Sequence, residues 1–493
     1  MTPVPEDNFS GRLVKRLGSH SCLIDAATGE TISTSELRQL ITSFAAHLLS
    51  SGLRSQDRIL IGCVLSPSSS IAYLGAMYAG LVPVPMEERV LVSTVGTLVN
   101  GVGAKAVWTE RSLRFDGISD TGVLFLHGLP AKRITDELSP AACEENDLAV
   151  LFATSGSTGI PRFVMVSHGN LTANTEAIAR SQDLSNDERA ILILPLSYCF
   201  GASVLHTHLY QGGGVVYDRR FMFPDKVLHA INEFACTTFA GVPTVYNILL
   251  GRSNIRLIAM PTLRRFLQAG GPLAPQRVAE MRAVVPESKF YVMYGQTEAT
   301  ARISCLDPDH LDEKLGSVGR PLDNLTVRIT DEEGQAVTAG KVGEILVKGP
   351  SITLGYLNEP EESRRVFKDG WLRTGDLAHL DADGYIWIDG RKGAFLKMRG
   401  VRVSFAEVEA RVAAVSGVYE CAAAAVPHPE GGEALALYIV PENGVGDVID
   451  RVRQSLSVTW TCESIQVVSE IPKTARGKVS RTSLSTKAIG TYE

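Results

Sequence analysis

Leu151-Phe152-Ala153-Thr154-Ser155-Gly156-Ser157-Thr158-Gly159-Ile160-Pro161-Arg162 begins as an apolar strand and passes into a loop of small hydroxyl residues and glycines that ends in a basic side chain. Glycines let successive backbone N–H groups converge on one anion. Serine and threonine hydroxyls add donors without crowding it, so Thr154, Ser155, Gly156, Ser157, Thr158 and Gly159 suit a phosphate cradle. By composition alone the same residues also describe a Gly/Ser surface loop, and the rest of the chain has to separate the two. The G-x-x-x-x-G-K-[ST] spacing of a P-loop nucleotidase is absent.

Outward from this loop, short runs rich in Val, Ile and Leu at 58–64, 190–194 and 214–217 alternate with segments of helical period at 33–51, 170–181 and 224–234. The alternation predicts α/β layers with buried parallel strands. Asn170 is the expected cap of the second helix, and Pro224 opens the third. After residue 325 the character changes to strands at 325–331, 343–348 and 384–388, punctuated by Asp-Glu-Glu-Gly and Asp-Ala-Asp-Gly turns, which reads as antiparallel. Beyond 390 come a helix at 405–415, strands at 421–426 and 433–440, a helix at 445–457 and a strand at 464–468, enough for a small core of its own. The expected architecture is therefore α/β. A large amino-terminal domain, 1–390, combines layered α/β subdomains with a β-rich subdomain, and a small mobile α+β domain, 391–493, follows. The hinge is placed at Lys392 and Gly393, in the glycine-bearing run 389–393.

The chain's 493 residues exceed one domain of about 150 residues several-fold. With 45% hydrophobic and 21% charged residues, it is neither disordered nor a coiled coil. Lys+Arg of 48 against Asp+Glu of 54, a net charge of -6, gives no electrostatic reason to bind nucleic acid or an anionic membrane. The 8 cysteines form no C-x-x-C pair, and residues 1–10 lack the basic-then-apolar order of a signal peptide, so a reducing cytoplasm is expected. The most apolar stretch, 59–86, is interrupted by Pro67, Pro83 and Pro85, which excludes a membrane span there.

Two further segments carry chemistry. Tyr291-Val292-Met293-Tyr294-Gly295-Gln296-Thr297-Glu298 runs a strand into a sharp glycine turn that presents a ring, a hydroxyl and a carboxylate. Tyr294 reads either as a purine platform or as a strand-edge residue, and Glu298 as a ligand for Mg²⁺ beside a phosphate. Gly370-Trp371-Leu372-Arg373-Thr374-Gly375-Asp376-Leu377 is followed by Asp389-Gly390-Arg391-Lys392. Asp376 suits a grip on a ribose diol, or a structural ion pair with Arg391.

In this order, and together with Val242-Pro243-Thr244, Gln268-Ala269-Gly270-Gly271-Pro272-Leu273, Gly316-Ser317-Val318-Gly319-Arg320-Pro321, Gly355-Tyr356, Lys397-Met398-Arg399-Gly400 and Pro472-Lys473-Thr474-Ala475-Arg476-Gly477-Lys478, these segments are specific. Over nearly its whole length the chain resembles the adenylate-forming, AMP-binding superfamily of acyl-CoA synthetases, peptide-synthetase adenylation domains and luciferases. It looks most like a stand-alone acyl- or aryl-CoA synthetase. The resemblance implies that a carboxylic acid attacks the α-phosphate of ATP, that pyrophosphate leaves, and that the small domain then rotates so that a thiol takes the acyl group. It also implies roles. Thr154 to Gly159 cradle the β- and γ-phosphates, Gly270, Gly271, Tyr294 and Gly295 hold adenine, and Thr297 touches the α-phosphate. Glu298 ligates Mg²⁺, Asp376 and Arg391 hold the ribose, and Lys478 bridges the acid and the α-phosphate. Gly400 borders the tunnel for the pantetheine arm.

The chain departs from the family pattern in several places. Arg162-Phe163 stand where Lys-Gly is usual, so the backbone after the phosphate loop is expected to differ. Gly393-Ala394 leave the hinge without a side chain for alternating contacts. Gly201 occupies the position where amino-acid-activating relatives carry Asp, which disfavours an α-amino acid because a buried ammonium needs a partner. Tyr198, Gly201 and Gly241 are assigned to the acid pocket, the glycines making room for a bulky or ring-bearing acid of the kind made in secondary metabolism. The preferred acceptor is coenzyme A, and the alternative is a discrete carrier protein. An inactive adenylate-binding scaffold is the non-enzyme reading, and a homodimer is left open.

Overall fold

The computed structural model describes residues 6–115, 122–131, 138–154, 161–392, 395–398, 401–427, 433–442, 447–456, 460, 462–473, 479–481 and 483–484. Two sheets dominate the larger part. Arg58–Cys63 lies between Val82–Glu87 and Ala104–Thr109 in a four-stranded parallel sheet completed by Leu124–His127. In the nine-stranded sheet, Lys289–Tyr294, Arg265–Gln268, Thr238–Gly241, Arg189–Leu192, Gly214–Tyr217 and Leu23–Asp25 run parallel side by side, with short antiparallel strands at both edges. The central strands are mostly apolar and buried, as expected where helices cover both faces of a parallel sheet.

The covering helices begin where the sequence offers caps. Pro67–Tyr78 starts after Ser66, whose hydroxyl accepts from the Ser69 N–H. His168–Ser181 starts two residues before the expected point. Its cap is Ser167, which accepts from Asn170 N at 3.1 Å, while the Asn170 side chain accepts from Ser167 N at 3.0 Å. Asn170 is therefore the return arm of a capping box, not the cap itself. The helix Cys199–Tyr210 is buried along its entire length.

The β-rich part is a five-stranded antiparallel sheet in which Trp371–Leu380 pairs with Gly343–Lys348, Phe367–Lys368 and Ile386–Arg391. The strand expected at 384–388 runs on to Arg391. Gly390 and Arg391 are thus ladder residues, Asp389 is the extra residue at a register shift, and even Lys392 N donates to Gly375 O at 2.7 Å. The weak point read over 389–393 is correspondingly shorter.

The carboxy-terminal unit pairs Glu433–Pro441 antiparallel with Val418–Pro427 and parallel with Cys462–Val467. Strand alternation sends Leu435, Leu437 and Ile439 to one face, against Val408 and Val452. Ala434, Ala436 and Tyr438 go to the other face, against Ile471 and Leu484. All eight cysteines are free thiols. Among the described residues no helix is long and apolar enough to cross a membrane.

Candidate active site

Strand Lys289–Tyr294 ends at the carboxyl edge of the parallel sheet, where open α/β folds bind their ligands. A Cβ on Gly295 would lie 1.8 Å from the Ala301 carbonyl oxygen, so the turn after Tyr294 admits only glycine. The turn leads into the short helical segment Thr297–Ala299. The Tyr294 hydroxyl donates to Asp376 Oδ2 at 2.6 Å. Burial, and then the Asp376 charge, push the Tyr294 pKa well above its ordinary value, so the hydroxyl stays a donor. Asp376 is itself fixed, because its N–H donates to Thr374 Oγ1 at 3.0 Å and Thr374 anchors to Ile345 O at 2.8 Å. Arg391 is the cross-strand neighbour of Asp376, with Nε 3.8 Å from Oδ1 and an exposed guanidinium. The two residues expected at a ribose are therefore brought together by strand pairing, with Tyr294 as a third member that the sequence did not tie to them.

Glu298 Oε1 accepts from the Tyr356 hydroxyl at 2.9 Å. Tyr356 packs under the Arg162 guanidinium, 4.7 Å from its ring centroid, and Arg162 pairs with Glu359 at 2.8 Å and Glu362 at 3.0 Å. Arg162 is thus committed to two carboxylates. Among the described residues no group of three His, Cys, Asp or Glu side chains could hold a metal. A Mg²⁺ ion that keeps waters and phosphate oxygens needs only one or two carboxylates, so Glu298 alone fits it.

Thr154 and Arg162 close the base of an antiparallel hairpin, with Thr154 Oγ1 donating to Arg162 O at 3.3 Å. Phe163 sits opposite Ala153 in regular strand pairing and is buried. Ser155, Gly156, Ser157, Thr158 and Gly159 lie outside the described residues, as do Gly393, Gly400 and Lys478.

The start of helix Cys199–Tyr210 meets this edge. Cys199 Sγ lies 3.5 Å from Thr297 Oγ1, and a Cβ on Gly270 would lie 2.5 Å from the Tyr198 hydroxyl oxygen. Gly271 is exposed, and its carbonyl accepts from Gln268 Nε2 at 2.8 Å. The volume argument behind two pocket assignments is corrected here. A Cβ on Gly201 would meet Pro195 O at 2.4 Å, and one on Gly241 would meet Val245 Cγ1 at 2.8 Å. At both positions the space a side chain would take is already filled by protein atoms, so the missing side chain leaves no open volume there.

Lys392, expected at the hinge, places Nζ 3.4 Å from Glu344 Oε2. Glu344 is buried and also pairs with Arg373. Burial works to raise its pKa, but Arg373 and Lys392 prevail and hold it below the usual range. Nothing local in the sequence marks Glu344, because strand pairing across the sheet creates the contact.

A model of the AMP-binding enzyme family matches residues 12–357, and one of the AMP-binding enzyme C-terminal domain matches 407–478. A feruloyl-CoA synthase of Amycolatopsis sp is 32% identical over 464 residues, covering 92% of this chain and 93% of the relative. The 4-coumarate–CoA ligase 2 of Petroselinum crispum is 26% identical over 515 residues, 98% of this chain and 94% of the relative. ATP-bound MatB from Rhodopseudomonas palustris superposes with a TM-score of 0.90 at 27% identity over 99% of this chain and 100% of that one. O-succinylbenzoate coenzyme A synthetase from Bacillus subtilis, in complex with ATP and magnesium ion, gives 0.84 at 25% identity over 98% and 100%.

Proposed function

Because the chain belongs to the AMP-binding enzymes, we propose a reaction and a division of labour among its residues on that premise. The protein is an AMP-forming acid–thiol ligase. A carboxylate oxygen of the acid attacks the α-phosphorus of ATP, the bond to pyrophosphate breaks, and an acyl-adenylate forms. The sulfur of coenzyme A then attacks the acyl carbon, AMP leaves, the thiol proton passes to solvent, and a thioester remains.

The observation that carries the reading is the Tyr294–Asp376–Arg391 group at the carboxyl edge of the sheet, beside Thr297 and Glu298. Asp376 accepts from the ribose hydroxyls with Arg391 alongside. The Tyr294 ring, held by its hydroxyl, offers a face to adenine next to Gly270 and Gly271. Thr297 donates to the α-phosphate, and the loop from Thr154 to Gly159 donates to the β- and γ-phosphates. Glu298 would hold magnesium, which would supply charge neutralisation at the phosphates. Lys478 balances the charge that builds as one anion attacks another. Gly400 lies beside the pantetheine arm in the second half-reaction. The eight unpaired cysteines support a reducing, cytosolic setting.

The test is ATP–pyrophosphate exchange over a panel of fatty and aryl acids, followed by mass spectrometry for the acyl-CoA. Exchange without thioester, until a carrier protein is added, would move the acceptor from coenzyme A to that carrier. Glu298→Gln keeps the shape and the Tyr356 contact but removes the charge a hard cation needs. It should raise the Mg²⁺ concentration for half-maximal exchange by about tenfold or more, with ATP binding in the absence of metal little changed. An unchanged Mg²⁺ titration would take Glu298 out of the metal site.

A further inference from the structure

Arg302 lies just beyond the segment that carries Thr297 and Glu298 and is 2% exposed. A buried guanidinium is costly unless something pairs with it. Arg265, similarly buried, has the Glu188 carboxylate against it. Arg302 has no such partner among the described residues. Its Nε is buried without a hydrogen bond, no described residue accepts from its guanidinium, and burial pushes its pKa down. The ionisable groups nearest it are Cys305, Cys199 and Tyr198, none of them a carboxylate.

Its direction is nonetheless fixed. Asn174 Nδ2 donates to Arg302 O at 2.9 Å, and Asn174 Oδ1 accepts from Arg302 N at 3.3 Å, clamping the backbone from both sides. The guanidinium then covers the Phe200 ring, 4.8 Å from its centroid, at the start of helix Cys199–Tyr210. Tyr198 and Cys199, at the start of the same helix, reach the nucleotide side, Tyr198 against Gly270 and Cys199 against Thr297. A planar fork backed by an aromatic face is already organised to meet an oxygen acceptor without losing side-chain freedom.

We infer that Arg302 is a specificity-determining residue of the acid site, binding an oxygen acceptor on the substrate remote from the carboxylate that is activated. The acid lies with its reacting carboxylate at Thr297 and its body along Tyr198 and Phe200, so its far end reaches Arg302. A second carboxylate, a carbonyl and a hydroxyl share this chemistry. A site with a buried donor discriminates strongly against an analogue lacking the acceptor, because binding the analogue leaves the donor unpaired.

The inference rests on the adenylation reading, and the experiment separates the two. Pyrophosphate exchange is measured with sets of acids that share one skeleton and differ only in the remote group: none, hydroxyl, carbonyl or carboxylate. The wild-type protein should favour one acceptor-bearing member over the plain acid by about 100-fold or more in kcat/KM, and the leading member names the acceptor. Arg302→Met should bring that ratio to within about threefold, with a gain on the plain acid, while Arg302→Lys retains part of it. A wild-type preference for plain acids, or an Arg302→Met variant that slows every acid by one factor, overturns the role of Arg302 and leaves adenylation standing. Absence of exchange with every acid overturns both. Should the Met variant fail to fold, the wild-type ratio and the Lys variant still decide.

Discussion

Lowering the pH from 6.5 to 5 should destabilise the folded chain by about 3–4 kcal/mol per pH unit near the middle of that range, through three histidines that fold neutral. His206 is fully enclosed, edge-on to Phe9 at 5.0 Å and stacked on Tyr73 at 5.7 Å, with Nε2 3.2 Å from the Tyr73 hydroxyl. Burial pushes its pKa down to about 3. His208 is held down to about 4 by burial, against the opposing effect of the Val204 carbonyl 2.9 Å from Nδ1. His168 accepts from Phe9 N at 3.2 Å through Nδ1, and burial brings it to about 4. In the unfolded chain each titrates near 6.5. The unfolded state therefore takes up protons that the folded state refuses. The stability from these groups is complete above about pH 6.5 and is lost as pH falls toward the folded values of 3–4. Summed down to pH 4 this comes to about 8 kcal/mol, comparable to a typical stability of about 5–15 kcal/mol and enough to unfold a protein in the lower part of that range. Guanidinium melts between pH 7.5 and 5 test it. The ion-paired Asp381, held at about 2, keeps its charge across that window. His206→Gln should remove roughly a third of the slope. A flat midpoint would show that these rings take up protons inside the fold.

Lys478→Ala should slow acyl-adenylate formation by about two to three orders of magnitude, or roughly 3–4 kcal/mol for one preorganised charge. The acid and the α-phosphate are both anions, and charge grows on the transferring oxygens as they approach. A fixed ammonium in a dry, closed site offsets this without reorganisation, whereas bulk water would screen the attraction. Thioester formation from supplied acyl-adenylate involves no such approach and should change far less. Equal losses in both half-reactions would make Lys478 a structural residue.

The sequence carried the layers of the fold because burial writes itself as runs and periods. The parallel strands, the antiparallel sheet after 325 and the separate carboxy-terminal core were all readable before any coordinates. Element ends were less so. Ser167 and Asn170 are chemically alike as caps, and only geometry separates the cap from its return arm. At the site, residues on one loop were legible as a set, Thr297 with Glu298 for example. Partners from distant strands were not. Tyr356 reaches Glu298, Glu344 reaches Lys392, and Asn174 clamps Arg302 across more than a hundred residues. Gly201 and Gly241 misled for a related reason. A glycine in sequence says that a side chain is missing, but not whether a ligand or a neighbouring backbone fills the space.

Gly295 bears on how mutational tolerance should be interpreted in this protein. Its missing side chain would overlap the Ala301 carbonyl whether or not a nucleotide is ever bound, and the same is true of Gly319 against Cys305. A library sorted only for folded, soluble protein, with catalysis under no selection, would already be purged of substitutions at both positions. Gly271, whose Cβ would meet only the Pro243 ring at 3.4 Å, would pass such a sort and fail a later one for turnover if it touches adenine. Two glycines of neighbouring segments can therefore look equally invariant in a functional screen for different reasons, and only a two-stage selection reveals which of them the chemistry requires.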